Sequence, residues 1–215
     1  MFNKKYNNTI IFSDNSLFGL LKFRIDVINN LKAKGYKIIL VAPNEFDFGN
    51  MQIPDGVRYL PIRGAKRASF SIINELIIIF HYLFIYIRFN PKCIFHYTIK
   101  PNLYGTLIAR LYRIPSISII TGLGHVFQKK SMRNKILRKL YSFSLSYAEK
   151  IIVLNKMNYR LIQKTVKNKS KIIFLESGEG IDTSFYKNKN LTNHQNDAIS
   201  DNIKPFSKEQ QINLN

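Results

Sequence analysis

Polar residues and glycines cluster in three short segments of the sequence, each directly after an apolar run. Ser13–Gly19 (SDNSLFG) follows the first run, and His96–Asn102 (HYTIKPN) and Thr121–His125 (TGLGH) follow two later ones. Free backbone amides at a helix start bind anions such as phosphates. An imidazole can carry a proton, and glycines let a ligand approach the backbone closely. The three segments therefore predict a ligand site where strands end.

The candidate residues of this site are small, polar, cationic or glycine. They are Asn15, Ser16, Gly19, His96, Thr98, Lys100, Asn102, Thr121, Gly122, Gly124 and His125. Structural roles stay open for each segment: the first can be a capped helix start, the histidine can be buried in a strand, and TGLG can be a plain turn. The sequence singles out no catalytic residue.

Several common ligand motifs are missing from the sequence. It contains neither G-x-G-x-x-G nor G-x-x-x-x-G-K-[ST], which disfavours nicotinamide-dependent dehydrogenases and P-loop NTPases. It also shows no metal-binding motif, so we expect no metal and no other cofactor. The ligand site therefore has to be interpreted from its place in the fold.

Strand-like and helix-like patterns alternate along the chain. Strands are predicted at 9–13, 37–42, 57–62, 92–97, 116–121, 151–154 and 171–176, and helices at 17–34, 69–89, from Pro101, at 131–147 and at 156–167. Such βαβ units predict a Rossmann-like α/β fold, with a mainly parallel, doubly wound sheet and helices on both faces. The carboxyl ends of parallel strands share one edge, so the three polar segments are expected to meet there.

The end of the chain differs in composition from the rest. Residues 187–215 are rich in Asn, Gln, Asp, Ser and Lys, with isolated apolar residues. This composition predicts a solvated, disordered tail after a domain that occupies residues 1–186.

Charge and cysteine content limit the partners and the compartment. The chain has 33 Lys and Arg against 13 Asp and Glu, a formal net charge of +20. This excess favours anionic partners, although an AT-biased genome would also enrich lysine. The chain lacks zinc-finger spacing, RNP-type strands and basic helix repeats, so no nucleic-acid partner is expected. The single cysteine, Cys93, indicates a reducing cytoplasm, and a reactive thiol is the alternative.

The predicted helix at 69–89 raises the question of a membrane. It is apolar on nearly all sides, but Asn74, Glu75 and His81 interrupt it, which disfavours a spanning segment. Basic residues lie at its ends: Arg63, Lys66, Arg67, Arg88 and Lys92. They predict peripheral contact with an anionic lipid surface, and we expect a cytoplasmic protein at the inner face of the cytoplasmic membrane.

Four segments together resemble the N-terminal half of a bacterial glycosyltransferase family 4 enzyme. They are SLFGLLKFRIDVINNLKAKGY (16–36), YTIKPNLYG (97–105), TGLGHVF (121–127) and GEGIDTSFY (178–186), within a resemblance that covers residues 10–186. The resemblance implies a GT-B fold, in which two Rossmann-like domains face each other across a cleft. This chain would supply the acceptor-side, N-terminal half.

The resemblance also implies a reaction. A sugar, commonly an N-acetylhexosamine from a UDP-sugar co-substrate, would be transferred with retention to a lipid-linked saccharide during surface polysaccharide (lipopolysaccharide or capsule) biosynthesis. The Asn15–Gly19 loop would approach the acceptor and the donor phosphate, and Thr98, Lys100 and Asn102 would line the acceptor side. Residues 122–125 would shape the cleft floor. The interdomain crossover would include Gly180 and Asp182.

Family members continue past this crossover into a donor-binding domain with a basic pair and an E-x7-E motif. Glu176 and Glu179 do not have that spacing, and the chain ends at Asn215. We therefore expect the donor-binding domain to be absent and the chain alone to transfer no sugar. The polar tail favours a truncated gene product. The alternative is that the chain is one half of a split enzyme, with a separate donor-domain chain. Two other hypotheses stay open. The chain can be a non-catalytic acceptor-binding or membrane-recruiting subunit, or a fragment of a GT-B sugar-nucleotide epimerase.

Overall fold

Seven parallel strands form one sheet in the part of the chain that the computed structural model describes, namely residues 7–44, 52–63, 71–123, 127, 131–176 and 178. The strands are β1 (Asn7–Ser13), β2 (Lys37–Pro43), β3 (Arg58–Ile62), β4 (Pro91–Tyr97), β5 (Ser116–Ile120), β6 (Lys150–Val153) and β7 (Ile172–Phe174). Their order across the sheet is β3-β2-β1-β4-β5-β6-β7. Because the central strands are covered on both faces, they read in the sequence as nearly continuous apolar runs.

Helices lie between successive strands from β1 to β2 and from β3 onward, whereas residues 45–51 between β2 and β3 lie outside the described residues. They are α1 (Leu17–Phe23), α2 (Ile25–Ala33), α3 (Ile72–Phe89), α4 (Thr106–Leu111), α5 (Met132–Leu145) and α6 (Lys156–Thr165). A π-helical turn, Pro101–Gly105, leads into α4, and a short 3-10 turn, Lys169–Lys171, precedes β7. Right-handed crossovers with this strand order place α1 and α2 on one face of the sheet and α3 to α6 on the other. The predicted doubly wound, Rossmann-like fold is confirmed.

The two faces have separate apolar cores. On one face, Leu17 and Leu20 of α1 and Ile28 of α2 pack against Phe12 of β1. On the other, Tyr82 of α3 belongs to a cluster of buried residues from β1, β2, β4 and α4. A further cluster packs α5 and α6 against β5 and β6. The sheet is therefore an apolar layer between two helix layers.

The first predicted helix, 17–34, is wrong as a single element. The structure has two helices, because Arg24 between them adopts a non-helical conformation with φ −121° and ψ 1°. Arg24 occupies a position that helical periodicity directs toward the sheet, and only 7% of it is exposed. Its guanidinium lies over the ring of Tyr97, 4.5 Å from the centroid. A buried guanidinium needs such partners, and breaking the helix lets Arg24 reach them.

The other predicted elements begin and end within about three residues of the observed ones. The candidate residues Gly124 and His125, the crossover residues Gly180 and Asp182, and the tail 187–215 lie outside the described residues.

A polar network crosses the apolar core beneath α3 and α4. His96 of β4 is fully buried, and its Nε2 lies 2.7 Å from the hydroxyl of Tyr86. Its Nδ1 lies 3.3 Å from Oγ1 of Thr106, which is 3.2 Å from Oγ of Ser118. Burial lowers the pKa of His96 to about 3, so the ring is neutral in the folded protein. This histidine therefore ties α3 and α4 to the sheet.

The buried, neutral state of His96 predicts a loss of stability in acid. The unfolded chain binds a proton at this side chain below pH 6.5, whereas the folded chain does so only near pH 3. Between these values, the His96 contribution to the free energy of unfolding should fall by roughly 1 kcal/mol per pH unit as the pH decreases. Urea titrations from pH 7 to pH 4 should show a shallower pH dependence for His96→Gln than for wild type. An unchanged slope in His96→Gln would contradict the prediction.

The close approach of the π-helical turn to His96 requires a glycine. A Cβ at Gly105 would overlap Nε2 of His96 and lie 3.0 Å from the Tyr86 hydroxyl. We expect Gly105→Ala to lower the free energy of unfolding by about 2 kcal/mol, because the polar network has to move. Gly122→Ala is the matched control, since its Cβ would meet no atom of the described residues within 4 Å. Chemical denaturation should show a loss for Gly105→Ala only, and equal stabilities would refute this account.

Candidate functional site

A cleft of about 600 Å³ opens at the carboxyl edge of the sheet. Its lining residues follow β1, β2, β4 and β5 or belong to the α1 region: Asp14, Asn15, Ser16, Phe18, Gly19, Phe23, Arg24, Pro43, Asn44, Thr98 and Thr121. The chain leaves β1 toward β2 in one direction and β4 toward β5 in the other. The cleft therefore lies at the point where strand order reverses, which is the usual ligand position in open α/β sheets.

The loop between β1 and α1 forms one wall of the cleft. Ser16 caps α1, and its hydroxyl accepts a hydrogen bond from the amide of Gly19 at 3.1 Å. The carboxylate of Asp14, which is nearly buried, accepts one from the amide of Asn15 at 2.6 Å. The side-chain oxygen of Asn15 is buried and has no hydrogen-bond partner among the described residues. Such an acceptor is suited to a donor on a bound ligand.

Arg24 adds a positive charge to the same wall. Its ring partner Tyr97 is itself stacked on Phe12, so the guanidinium rests on a rigid aromatic layer. Its Nη1 also donates to the carbonyl of Phe23 at 3.3 Å. The candidate set drawn from the sequence omits this residue. The available signal was an arginine on the otherwise apolar inward face of the predicted helix, because a charge there needs a partner.

Thr98, directly after β4, lines the cleft in an unusual backbone conformation. Its φ is 63°, in the left-handed region that β-branched residues rarely adopt. The hydroxyl donates to the carbonyl of Tyr97 at 2.6 Å, which helps to hold the turn. Strained residues of this kind concentrate at ligand sites, where the surrounding structure supports them. Together with Thr121, Thr98 presents a hydroxyl close to the end of its strand.

Three predicted site residues lie beneath the cleft instead of lining it. His96 is enclosed by the polar network, where its low pKa makes it a poor proton carrier near neutral pH. The ammonium of Lys100 pairs with Glu75 of α3 at 2.9 Å. Nδ2 of Asn102 donates to the carbonyl of Ile119 at 3.0 Å and lies 3.3 Å from the Tyr141 hydroxyl. These contacts hold the covering helices in place.

The structure therefore divides the predicted set. Asn15, Ser16, Gly19, Thr98 and Thr121 come together around the cleft. Gly122 is exposed beside Thr121 and is not one of the lining residues.

Thiol and metal chemistry find little support in the described residues. Burial raises the pKa of Cys93 to about 11, which disfavours a thiolate nucleophile. No cluster of three or more His, Cys, Asp or Glu side chains within the described ranges could hold a metal ion. The lining of the cleft is instead suited to hydrogen bonding and to binding an anion.

The left-handed conformation of Thr98 can be tested by two substitutions. Thr98→Gly and Thr98→Ala both remove the hydroxyl, but only glycine adopts a positive φ without steric cost. We expect the glycine variant to be more stable than the alanine variant by about 1 kcal/mol in urea unfolding. Equal stabilities of the two variants would show that the turn is unstrained.

Three solved structures with a similar fold are each about twice the size of this chain. A glycosyltransferase from Rickettsia africae aligns with a TM-score of 0.57 and 14% identity, covering 92% of this chain and 49% of that chain. Anabaena HepE, in complex with UDP-glucose, aligns with a TM-score of 0.60 and 11% identity, covering 83% and 45%. UDP-GlcNAc 2-epimerase from Methanocaldococcus jannaschii aligns with a TM-score of 0.52 and 16% identity, covering 77% and 44%.

These likenesses concern the fold, which in the solved structures is GT-B. The chain spans slightly under half of their length, as expected for one Rossmann-like half of that fold. No curated protein matches the sequence at a significant level. The family described as glycosyl transferase 4-like matches residues 12–155, more than half of the chain, including both walls of the cleft. The chain belongs to the glycosyl transferase 4-like family.

Proposed function

We propose that the chain forms the acceptor-side half of a retaining glycosyltransferase that transfers an N-acetylhexosamine from a UDP-sugar to a lipid-linked saccharide in surface polysaccharide biosynthesis. The observation that carries the proposal is the position of the cleft. In a chain of the glycosyl transferase 4-like family, its polar residues meet where the strand order reverses.

The lining of the cleft is chemically suited to a saccharide. Hydroxyls of Ser16, Thr98 and Thr121 can exchange hydrogen bonds with sugar hydroxyls. The side-chain oxygen of Asn15, which has no partner among the described residues, can accept one. Phe18 and Phe23 supply apolar surface beside them. This combination of apolar surface and a few convergent polar groups is typical of small-molecule sites.

The charge of Arg24 suits an anionic part of the ligands. Lipid-linked saccharides and nucleotide sugars both carry phosphates, and a guanidinium binds phosphate through two parallel hydrogen bonds. Arg24 lines the cleft at the carboxyl end of α1, directly before α2. We assign it to a phosphate of the acceptor or of the donor. The reaction as proposed uses the UDP-sugar as co-substrate and no metal.

The nucleotide-sugar donor is supported by the solved relative. Anabaena HepE is described in complex with UDP-glucose, and the present chain aligns with slightly under half of it. The proposal therefore assigns the acceptor wall to this chain and the nucleoside to the other half of a GT-B fold, on the same polypeptide or on a separate chain. The lipid-linked acceptor places the reaction at the cytoplasmic face of the membrane.

Asn15 provides the sharpest test of the cleft. Asn15→Ala removes a buried acceptor that has no described protein partner, so stability should stay within about 0.5 kcal/mol of wild type. Loss of a hydrogen bond to substrate should lower sugar transfer by roughly tenfold to a hundredfold. The measurement is the pool of lipid-linked saccharides, quantified by mass spectrometry in cells that carry the variant gene in place of the wild-type gene.

Asn8→Ala is the control, because Asn8 lies near the other end of β1 and its side chain donates to the carbonyl of Gly35 at an exposed position. It should leave the saccharide pool unchanged. Wild-type pools in Asn15→Ala cells, at equal protein abundance, would remove Asn15 from the site. Gene deletion gives a second check. If it leaves the lipid-linked saccharides unchanged but alters the free UDP-sugar epimers, the epimerase hypothesis replaces the proposal.

A further inference from the structure

The outer face of α3 is an exposed apolar stripe. Apart from Arg88, every exposed residue of this helix is apolar. The members, which recur at helical spacing and are between 49% and 82% exposed, are Ile72, Ile73, Leu76, Phe80, Phe84 and Ile87. Contiguous apolar surface of this kind is rare on monomeric proteins and marks an interaction site.

A second stripe runs along α5. Its exposed apolar members are Met132, Ile136, Leu140 and Phe143, which are between 38% and 73% exposed. Lys135 and Lys139 are exposed beside them. The helix therefore has two apolar sides. Tyr141 and Leu145 are buried in the core, and the apolar stripe is exposed.

The two stripes belong to one layer of the fold. Both helices cover the same face of the sheet, and α4 packs between them and contacts each one. Leu111 at the end of α4 is also exposed. We call the α3 stripe, Leu111 and the α5 stripe together the helix-layer surface. Its members are all exposed residues of helices on the same face of the sheet.

The helix α3 is long and apolar enough to cross a membrane by length and composition. Its connections exclude that arrangement in this fold, because it joins β3 to β4 within one sheet. Tyr82 and Tyr86 on its inner face are also buried against the core. The helix can therefore meet a bilayer only sideways, through its outer face.

Charge distinguishes a lipid surface from a second copy of the chain. The sequence of α3, α4 and α5 contains one acidic residue, Glu75, and this carboxylate pairs with Lys100. The exposed charges of these helices described in the structure are basic: Arg88, Arg110, Lys135 and Lys139. Self-association through this layer would oppose like charges in a chain of net charge +20, whereas an anionic bilayer complements them.

We propose that the helix-layer surface docks on an anionic membrane, with the apolar stripes at the boundary between headgroups and acyl chains and the lysines and arginines at the lipid phosphates. The inference deepens the proposed function and rests on it for the identity of the lipid-linked acceptor. α3 follows β3 and α5 follows β5, so both stripes begin at the carboxyl edge of the sheet, where the cleft opens. An acceptor in the bilayer would reach the cleft from the side.

Vesicle flotation of the full chain tests the surface without any sugar substrate. The wild-type chain should float with vesicles of phosphatidylcholine and phosphatidylglycerol and bind phosphatidylcholine alone more weakly. Phe84→Glu and Ile136→Glu should each weaken binding by about tenfold, since a charge replaces an inserted apolar side chain. Val27→Glu is the matched control: Val27 is 45% exposed on α2, on the opposite face, and should stay within about twofold of wild type.

All three variants change the net charge of the chain equally. If all three weaken vesicle binding equally, the vesicles attract the chain through its overall charge, and the proposed docking surface is overturned. Absence of wild-type binding to anionic vesicles would overturn it as well. So would concentration-dependent dimers that Phe84→Glu abolishes, because a second copy would then be the occupant. Circular dichroism should show folded variants, as the substituted side chains are exposed. A further outcome separates the two proposals. If the purified chain binds vesicles as expected but gene deletion leaves the lipid-linked saccharide pools unchanged, the proposed function is refuted and the docking surface is not.

Discussion

The connection that carries the chain from β3 to β4 is the constraint on which the rest of the structure depends. β3 is the edge strand, and β4 pairs with β1, so the helix α3 has to pass over β2 and β1 before the chain re-enters the sheet. A right-handed crossover fixes the face on which it lies. With 18 residues, α3 is about 27 Å long. By returning the chain beside β1, it creates the reversal of strand order at which the cleft opens.

Directional contacts set the position of α3 on the sheet. Tyr82 meets Ser13 of β1 at 2.7 Å, Tyr86 meets His96 of β4, and Glu75 meets Lys100 just beyond β4. Apolar packing alone tolerates sliding, whereas buried hydrogen bonds lose their full value when a partner moves. The two strands that flank the cleft are thus tied to one helix. The inner face of that helix positions the site, and its outer face is left to interact with something else.

The sequence predicts the fold well because its signals are local. Buried parallel strands such as KIILVA read as apolar runs, and proline and glycine mark the ends of elements. The site is predicted only in part, because its details depend on partners remote in sequence. Lys100 is oriented by Glu75, 25 residues earlier, and Arg24 breaks a helix to reach Tyr97. The positive φ of Thr98 is likewise not predicted by any local sequence pattern.

One regularity explains how four of the polar residues come to line the cleft. Asp14, Asn44, Thr98 and Thr121 are each the first residue after a strand, and all four line it. Within a strand, side chains alternate between the two helix layers, so His96 turns toward α3 and is buried. Two or more residues past the strand, Lys100 and Asn102 already belong to the covering helices and are used to anchor them. The residue that directly follows a strand belongs to neither helix layer, and it lines the cleft together with the β1–α1 loop and Arg24.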